Sequence, residues 1–239
     1  MAGRFNITFT AGNAPPVAAR GQLGAQAPAP APALQSADLF PTRIWQARLD
    51  TLMPQLEGWV QEVLALRAAA PKPAGRTNRH GWNSEEMTVL ERPVFGALRT
   101  AIRGACASAL AEMGQGGREF ELQSWVNLHD HGGFNFLHMH EGSLLSGSFY
   151  LKIPPGSGQF VFRDPRAGVR HGALKGGMPN GHADVHLTPS AGLLILFPCW
   201  MEHYVEPHGS DEPRITLAFN ANPPEGDRSR AGSPSDQRR

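Results

Sequence analysis

Two histidines, His138 and His140, stand one residue apart at the end of the stretch FNFLHMH, which has strand character. Residues two apart in a strand point to the same face, so both imidazoles are predicted to lie beside Phe134 and Phe136, opposite Asn135. Two such imidazoles can bind one metal ion, and iron, copper, nickel and zinc all accept this ligand. The pair therefore predicts a metal site that needs a third ligand from another strand.

The best candidate for that third ligand is His203. It follows the apolar stretch 192–197 and Pro198, which ends the strand, so we expect His203 in a short turn. His129 and His131 form a second pair with one residue between them, which makes them the main rival ligand set. The glycines that follow them predict a turn, and we interpret this pair as solvated.

Arg214 begins another strand, RITLAFN, and the alternation of side chains places Thr216 on the same face. A guanidinium inside an apolar barrel is costly to bury unless an anion accompanies it. A bidentate arginine and one hydroxyl can together clamp a carboxylate, so this face predicts a carboxylate site. The alternative is an ordinary surface ion pair of Arg214 with Glu202 or Asp211.

The elements that must position these residues form a helical first part and a strand-rich second part. Apolar residues recur at helical spacing over about 55–68 and over 93–113. After Gly117 the apolar period changes to two, and this part of the chain predicts the strands 120–128, 134–140, 146–153, 158–163, 183–188, 192–197 and 214–220. A block of strands after helices, without alternation of the two, predicts a mainly β fold with flanking helices, jelly-roll or cupin-like.

Composition limits the partners and the extent of the folded domain. Lys and Arg total 22 against 21 Asp and Glu, a formal net charge of +1, which argues against nucleic-acid binding. No apolar run reaches membrane-spanning length, and the two cysteines form no metal or disulfide pattern, so a cytoplasmic protein without a membrane partner is expected. Residues 1–37 (Ala/Pro-rich) and 224–239 (polar) are predicted to be disordered, which leaves 38–223 as the folded domain.

Several separated segments together resemble the 2-oxoglutarate/Fe(II)-dependent oxygenases with an HxH motif, within the prolyl-hydroxylase-like superfamily. The segments are LFPTRIW, GWNSEEM, SWVNLHDHGGFNFLHMHEGSLLSGSFYLKIPPGSGQFVFRDPR and GLLILFPCWMEHYVEPHGSDEPRITLAFN. The resemblance implies a double-stranded β-helix that holds Fe(II) through His138, His140 and His203. His140 stands where the superfamily has Asp or Glu, and Glu141 is the alternative third ligand.

The same resemblance implies the cosubstrate and the reaction. Arg214 would bind the C5 carboxylate of 2-oxoglutarate, with Thr216 beside it. The expected cofactors are Fe(II), 2-oxoglutarate, dioxygen and ascorbate, and the expected reaction is hydroxylation of a protein side chain or a small molecule. Two alternatives stay open: a cupin-like three-histidine metalloenzyme that uses no 2-oxoglutarate, and a non-catalytic metal-binding scaffold.

Secondary candidates surround these residues. Trp125, Asn127 and Asn135 are candidates for lining the cavity, and Tyr150 for donating a hydrogen bond to the cosubstrate, against the alternative that each is a packing residue. The Gly-rich segment 171–186 is interpreted as a lid over the site. Helices at the start of such domains often pair, which is compatible with a homodimer.

Overall fold

The computed structural model describes residues 40–168 and 184–225, together with the short segments 10–11 and 35–36. Three sequence predictions therefore fall largely outside the described residues: the arm 1–37, the tail 224–239 and the lid 171–186.

The chain divides into two compact units, Met1–Thr42 and Arg43–Arg239. In the first unit, strand β1 (Thr10–Ala11) pairs antiparallel with strand β2 (Gln35–Ser36). The second unit contains both helices, α1 (Leu56–Ala69) and α2 (Gly96–Glu112), and the short 3-10 helices Asp50–Gln55, Val89–Glu91 and Pro93–Phe95. Neither α-helix in the described part of the chain is long and apolar enough to cross a membrane.

One antiparallel sheet of nine strands dominates the second unit. The strands are β3 (Trp45–Arg48), β4 (Asn78–Asn83), β5 (Glu121–His138), β6 (Leu145–Lys152), β7 (Phe160–Arg163), β8 (Asp184–Leu187), β9 (Leu193–Pro198), β10 (His203–Val205) and β11 (Arg214–Asn222). They pair in the order β3-β9-β6-β11-β5-β10-β7-β8, and β4 also pairs with β5. The prediction of a mainly β fold with flanking helices is confirmed.

The long strand β5 joins the two halves of this sheet. Its first half pairs with β11, and its last residues pair with β10. The sequence prediction of two strands separated by a turn at Gly132 and Gly133 was wrong, because the chain stays extended through both glycines. The positive φ of 77° at Gly132 and the close packing around Gly133 let the strand bend without ending.

The two faces of the sheet bury different groups. The outer face packs against the helices, where Val126, Leu128, Leu217 and Phe219 meet helix residues such as Trp59 in one core. The inner face has a smaller apolar core around Phe160, and it also carries the polar residues of β5, β6 and β11. On β11 the alternation is as the sequence predicts, because Ile215, Leu217 and Phe219 belong to the outer core and Arg214, Thr216, Ala218 and Asn220 line an inner cavity.

A β-bulge near the end of β5 changes which side chains face inward. His203 pairs with His138 and Val205 pairs with Asn135, so three steps along β5 oppose two along β10. Asn135 and His138 therefore both line the cavity, whereas Phe136 is 46% exposed. The prediction that Phe134 and Phe136 share the face of the two histidines was wrong, because it assumed an unbroken period of two.

Candidate active site

Three imidazoles meet on the inner face, two from strands β5 and β10 and one from the residues that follow β5. The ligand nitrogens of His138, His140 and His203 lie within 4.8 Å of one another. The ring centroids of His138 and His203 are 4.3 Å apart, and those of His140 and His203 are 5.2 Å apart. His203 lies in strand β10 rather than in the expected turn, and its pairing with His138 brings the two distant segments together.

Backbone carbonyls orient two of these rings. The Nδ1 atom of His138 is 2.6 Å from the carbonyl oxygen of Phe136, and that of His203 is 2.9 Å from the carbonyl oxygen of Met201. A carbonyl only accepts hydrogen bonds, so each Nδ1 carries the proton and each Nε2 keeps a free lone pair. Such a carbonyl partner is typical of metal-binding histidines.

The environment of the three rings favours their neutral form. Burial lowers the pKa of His138, and burial together with the charge of His138 lowers the pKa of His140 to about 4. Burial, followed by the charges of both neighbours, holds the pKa of His203 well below its usual range. Neutral imidazole is the form that binds metal, so the cluster is ready to act as a ligand set at neutral pH.

Arg214 is buried on the same inner face, and the residue is 1% exposed. Its Nη1 atom is 3.1 Å from Nδ1 of His129, and its guanidinium carbon is 5.5 Å from the ring centroid of Tyr150. Within 40–168 and 184–225 no carboxylate forms an ion pair with Arg214, and its Nε and Nη2 atoms have no hydrogen-bond partner. The alternative of a surface ion pair with Glu202 or Asp211 was therefore wrong.

A row of polar side chains crosses the sheet next to Arg214. Asn83, Asn127, Thr216 and Tyr150 pair successively across β4, β5, β11 and β6, so their side chains share one face. In the described part of the chain, Nδ2 of Asn83, Oγ1 of Thr216 and the hydroxyl of Tyr150 are buried without a partner. Burial raises the pKa of Tyr150, so its hydroxyl keeps its proton and can donate. These donors suit a carboxylate, which only accepts.

The histidine cluster and Arg214 line one cavity of about 280 Å³. Trp125, Asn127, Asn135 and Thr216 line it too, whereas Tyr150 lies fully buried beside Arg214. The ring of Trp125 is 5.6 Å from that of His140. The cavity thus has a cluster of nitrogen ligands and a separate cationic anchor, which together can hold a metal ion and a ligand with a distal carboxylate.

Some residues lie where the sequence did not place them. His129 is fully buried in β5 against Arg214, so its assignment to a solvated turn was wrong, whereas His131 is exposed. Neither belongs to the only group of three metal-ligating residues within the described ranges, and Glu141 is exposed outside it. Asn83 was also missed, because β4 has no apolar alternation to mark it as a strand.

Comparison with known proteins relates part of the chain to one family. Residues 123–220 match the family model described as "Putative 2OG-Fe(II) oxygenase". The matched segment is therefore similar to the 2OG-Fe(II) oxygenases. The matched residues include His138, His140, His203 and Arg214. No curated protein matches the sequence significantly.

Solved structures show that the chain has the double-stranded β-helix fold. A Pseudomonas putida prolyl-4-hydroxylase aligns with a TM-score of 0.57 and 15% identity, over 76% of this chain and 93% of that one. HygX from Streptomyces hygroscopicus, with nickel and 2-oxoglutarate bound, aligns with a TM-score of 0.54 and 14% identity, over 77% of this chain and 84% of HygX. A Trichoplax adhaerens prolyl hydroxylase in complex with a hypoxia inducible factor peptide aligns with a TM-score of 0.52 and 14% identity, over 80% of this chain and 87% of that one. The fold prediction is confirmed.

Proposed function

We propose that this oxygenase binds Fe(II) through His138, His140 and His203, binds 2-oxoglutarate through Arg214, and hydroxylates its substrate. The observation that carries the proposal is a buried guanidinium without an anionic partner in the described chain, in the same cavity as the three imidazoles. Leaving such a charge buried and unpaired is costly, so the site favours an anionic ligand.

The chain supplies binding and orientation. Nε2 of His138 and of His203 would hold the ion, with His140 as the third ligand. Arg214 would donate to the C5 carboxylate, supported by the hydroxyls of Thr216 and Tyr150. When bound, Fe(II) would supply the redox chemistry that couples oxidation of 2-oxoglutarate by dioxygen to oxidation of the substrate, and ascorbate would keep the metal reduced.

The substrate would occupy the part of the cavity that the cosubstrate leaves free, beside Trp125 and near His140. We propose a protein side chain or a small molecule. Both kinds of ligand occur among structurally similar proteins: the Trichoplax adhaerens enzyme is in complex with a peptide, and HygX has been solved with hygromycin B. The free thiols of Cys106 and Cys199 support our proposal of a reducing, cytoplasmic setting.

Spectroscopy of the anaerobic complex tests the cosubstrate. Fe(II) and then 2-oxoglutarate are added to purified protein, and we expect a visible charge-transfer band. Replacement of Arg214 by Met should weaken 2-oxoglutarate binding by about a hundredfold, because a charged, buried hydrogen-bond partner is lost. Arg103→Met is the matched control, since Arg103 lies over Phe120, away from the cavity. Bound iron without a band in the native protein would instead favour the three-histidine enzyme that uses no 2-oxoglutarate.

A further inference from the structure

His129 is a fully buried imidazole that takes no part in the histidine cluster. It pairs with Arg214 across strands β5 and β11, and its Nδ1 atom lies 3.1 Å from Nη1 of Arg214. A guanidinium has only donors, so Arg214 donates and Nδ1 of His129 accepts. His129 must therefore be neutral, with its proton on Nε2.

The surroundings of His129 enforce this neutral state. Burial, followed by the charge of Arg214, lowers the pKa of His129 to about 3. No carboxylate in the described residues pairs with either side chain, so the guanidinium keeps its full positive charge. A carboxylate in place of the imidazole would cancel that charge before a ligand arrived.

Neighbouring backbone packs closely against Cα and Cβ of His129. A Cβ atom added at Gly81, its partner on β4, would overlap the carbonyl oxygen of Leu128 and lie 3.0 Å from Cα of His129. A Cβ atom added at Gly133 would lie 2.8 Å from Cβ of His129. Two glycines thus allow neighbouring backbone to approach Cα and Cβ of His129 closely, which fixes the position from which its side chain extends toward Arg214.

We propose that His129 is a positioning residue that orients Arg214 toward the distal carboxylate of the cosubstrate by accepting one hydrogen bond without contributing charge. The inference rests on the function proposed above. One guanidinium edge is held by His129, and the unpartnered Nε and Nη2 atoms stay free to donate to a ligand. The imidazole thereby fixes the direction of the cation and preserves its charge.

Three substitutions at His129 distinguish the effect of a hydrogen-bond acceptor on 2-oxoglutarate affinity from the effect of a negative charge. Asn places Oδ1 where Nδ1 lies, Asp places an anion there, and Leu places a methyl group there. His129→Asn should keep 2-oxoglutarate affinity within about threefold of native. His129→Leu should weaken it about tenfold, since a hydrogen bond to a charged group is lost. His129→Asp should weaken it more, about a hundredfold, because the carboxylate pairs with Arg214.

Binding is measured anaerobically with the Fe(II) protein, by the charge-transfer band and by calorimetry. Pyruvate, a 2-oxo acid without a distal carboxylate, is titrated in parallel. If His129 acts through Arg214, pyruvate binding stays unchanged in all three variants, and His129→Leu has no further effect in the Arg214→Met background. A structural role alone would weaken both acids or would spare both.

The outcomes distinguish this inference from the proposed function. If native protein does not prefer 2-oxoglutarate to pyruvate, the cosubstrate assignment fails. If native protein prefers it and Arg214→Met abolishes the preference, but His129→Asp retains native affinity, the positioning role of His129 is overturned. If circular dichroism shows that the His129→Leu variant does not fold, the isosteric Asn and Asp variants still decide whether His129 positions Arg214.

Discussion

At the scale of single residues, the site consists of buried polar groups whose hydrogen-bonding capacity is unmet. Arg214, Thr216 and Tyr150 each present buried atoms without a partner in the described chain. Their arrangement costs stability in the free protein, and a bound carboxylate would recover it. The face shared by Arg214 and Thr216 was predictable from simple alternation along the strand. The contact with His129 was not, because it depends on the register between two strands far apart in sequence.

Replacement of one proposed ligand tests whether the metal binds to the histidine cluster or to the rival pair, His129 and His131. We expect His203→Ala to weaken Fe(II) or Co(II) binding by at least about a hundredfold, because even removal of an outer-shell partner costs tenfold or more. His131→Ala is the control, since His131 is exposed and outside the cluster. Titration of each metal-free variant by calorimetry gives the comparison, and equal losses in the two would contradict the assignment.

At the scale of the elements, the β-bulge in β5 and the pairing of β10 bring the ligands together. Most strands and both helices could be predicted from the spacing of apolar residues, because burial of one face imposes that spacing. The bulge was not predictable, since it depends on the register between β5 and β10, which the sequence of β5 alone does not specify. It decides that Asn135 and His138, rather than Phe136, face the cavity.

Gly147 in β6 shows how tightly the central strands pack. A Cβ atom there would lie 2.5 Å from the carbonyl oxygen of Ile195 and would overlap the ring of Phe219. We therefore expect Gly147→Ala to lower the free energy of unfolding by about 1–3 kcal/mol, through overpacking. Gly104→Ala in the exposed face of α2 meets no atom within 4 Å and should raise it by about 1 kcal/mol. Urea denaturation of both variants is the measurement, and a neutral Gly147→Ala would disprove the packing argument.

For the molecule as a whole, histidines that the fold keeps neutral link stability to pH. The pKa of His129 is lowered to about 3 and that of His140 to about 4, whereas both would titrate near 6.5 in the unfolded chain. The unfolded state therefore binds more protons below pH 6.5, and stability falls as pH falls through that value.

For the metal-free protein, these two residues should lower the free energy of unfolding by about 3 kcal/mol between pH 7.5 and pH 5.5. His129→Asn removes one of the two groups, so its stability should fall by about 1.4 kcal/mol less over the same interval. Urea denaturation at both pH values measures the difference. Equal pH dependence in native protein and variant would show that His129 is not held neutral by the fold.

The continuity of β5 has one more consequence. The same strand carries His138 near one end and, further back, His129, which holds Arg214. Because both attachment points belong to one hydrogen-bonded element, motion of the strand displaces them together. Under the proposed function, the distance between an ion held at His138 and the guanidinium of Arg214 would depend on this one strand, and so would the length of the diacid that binds.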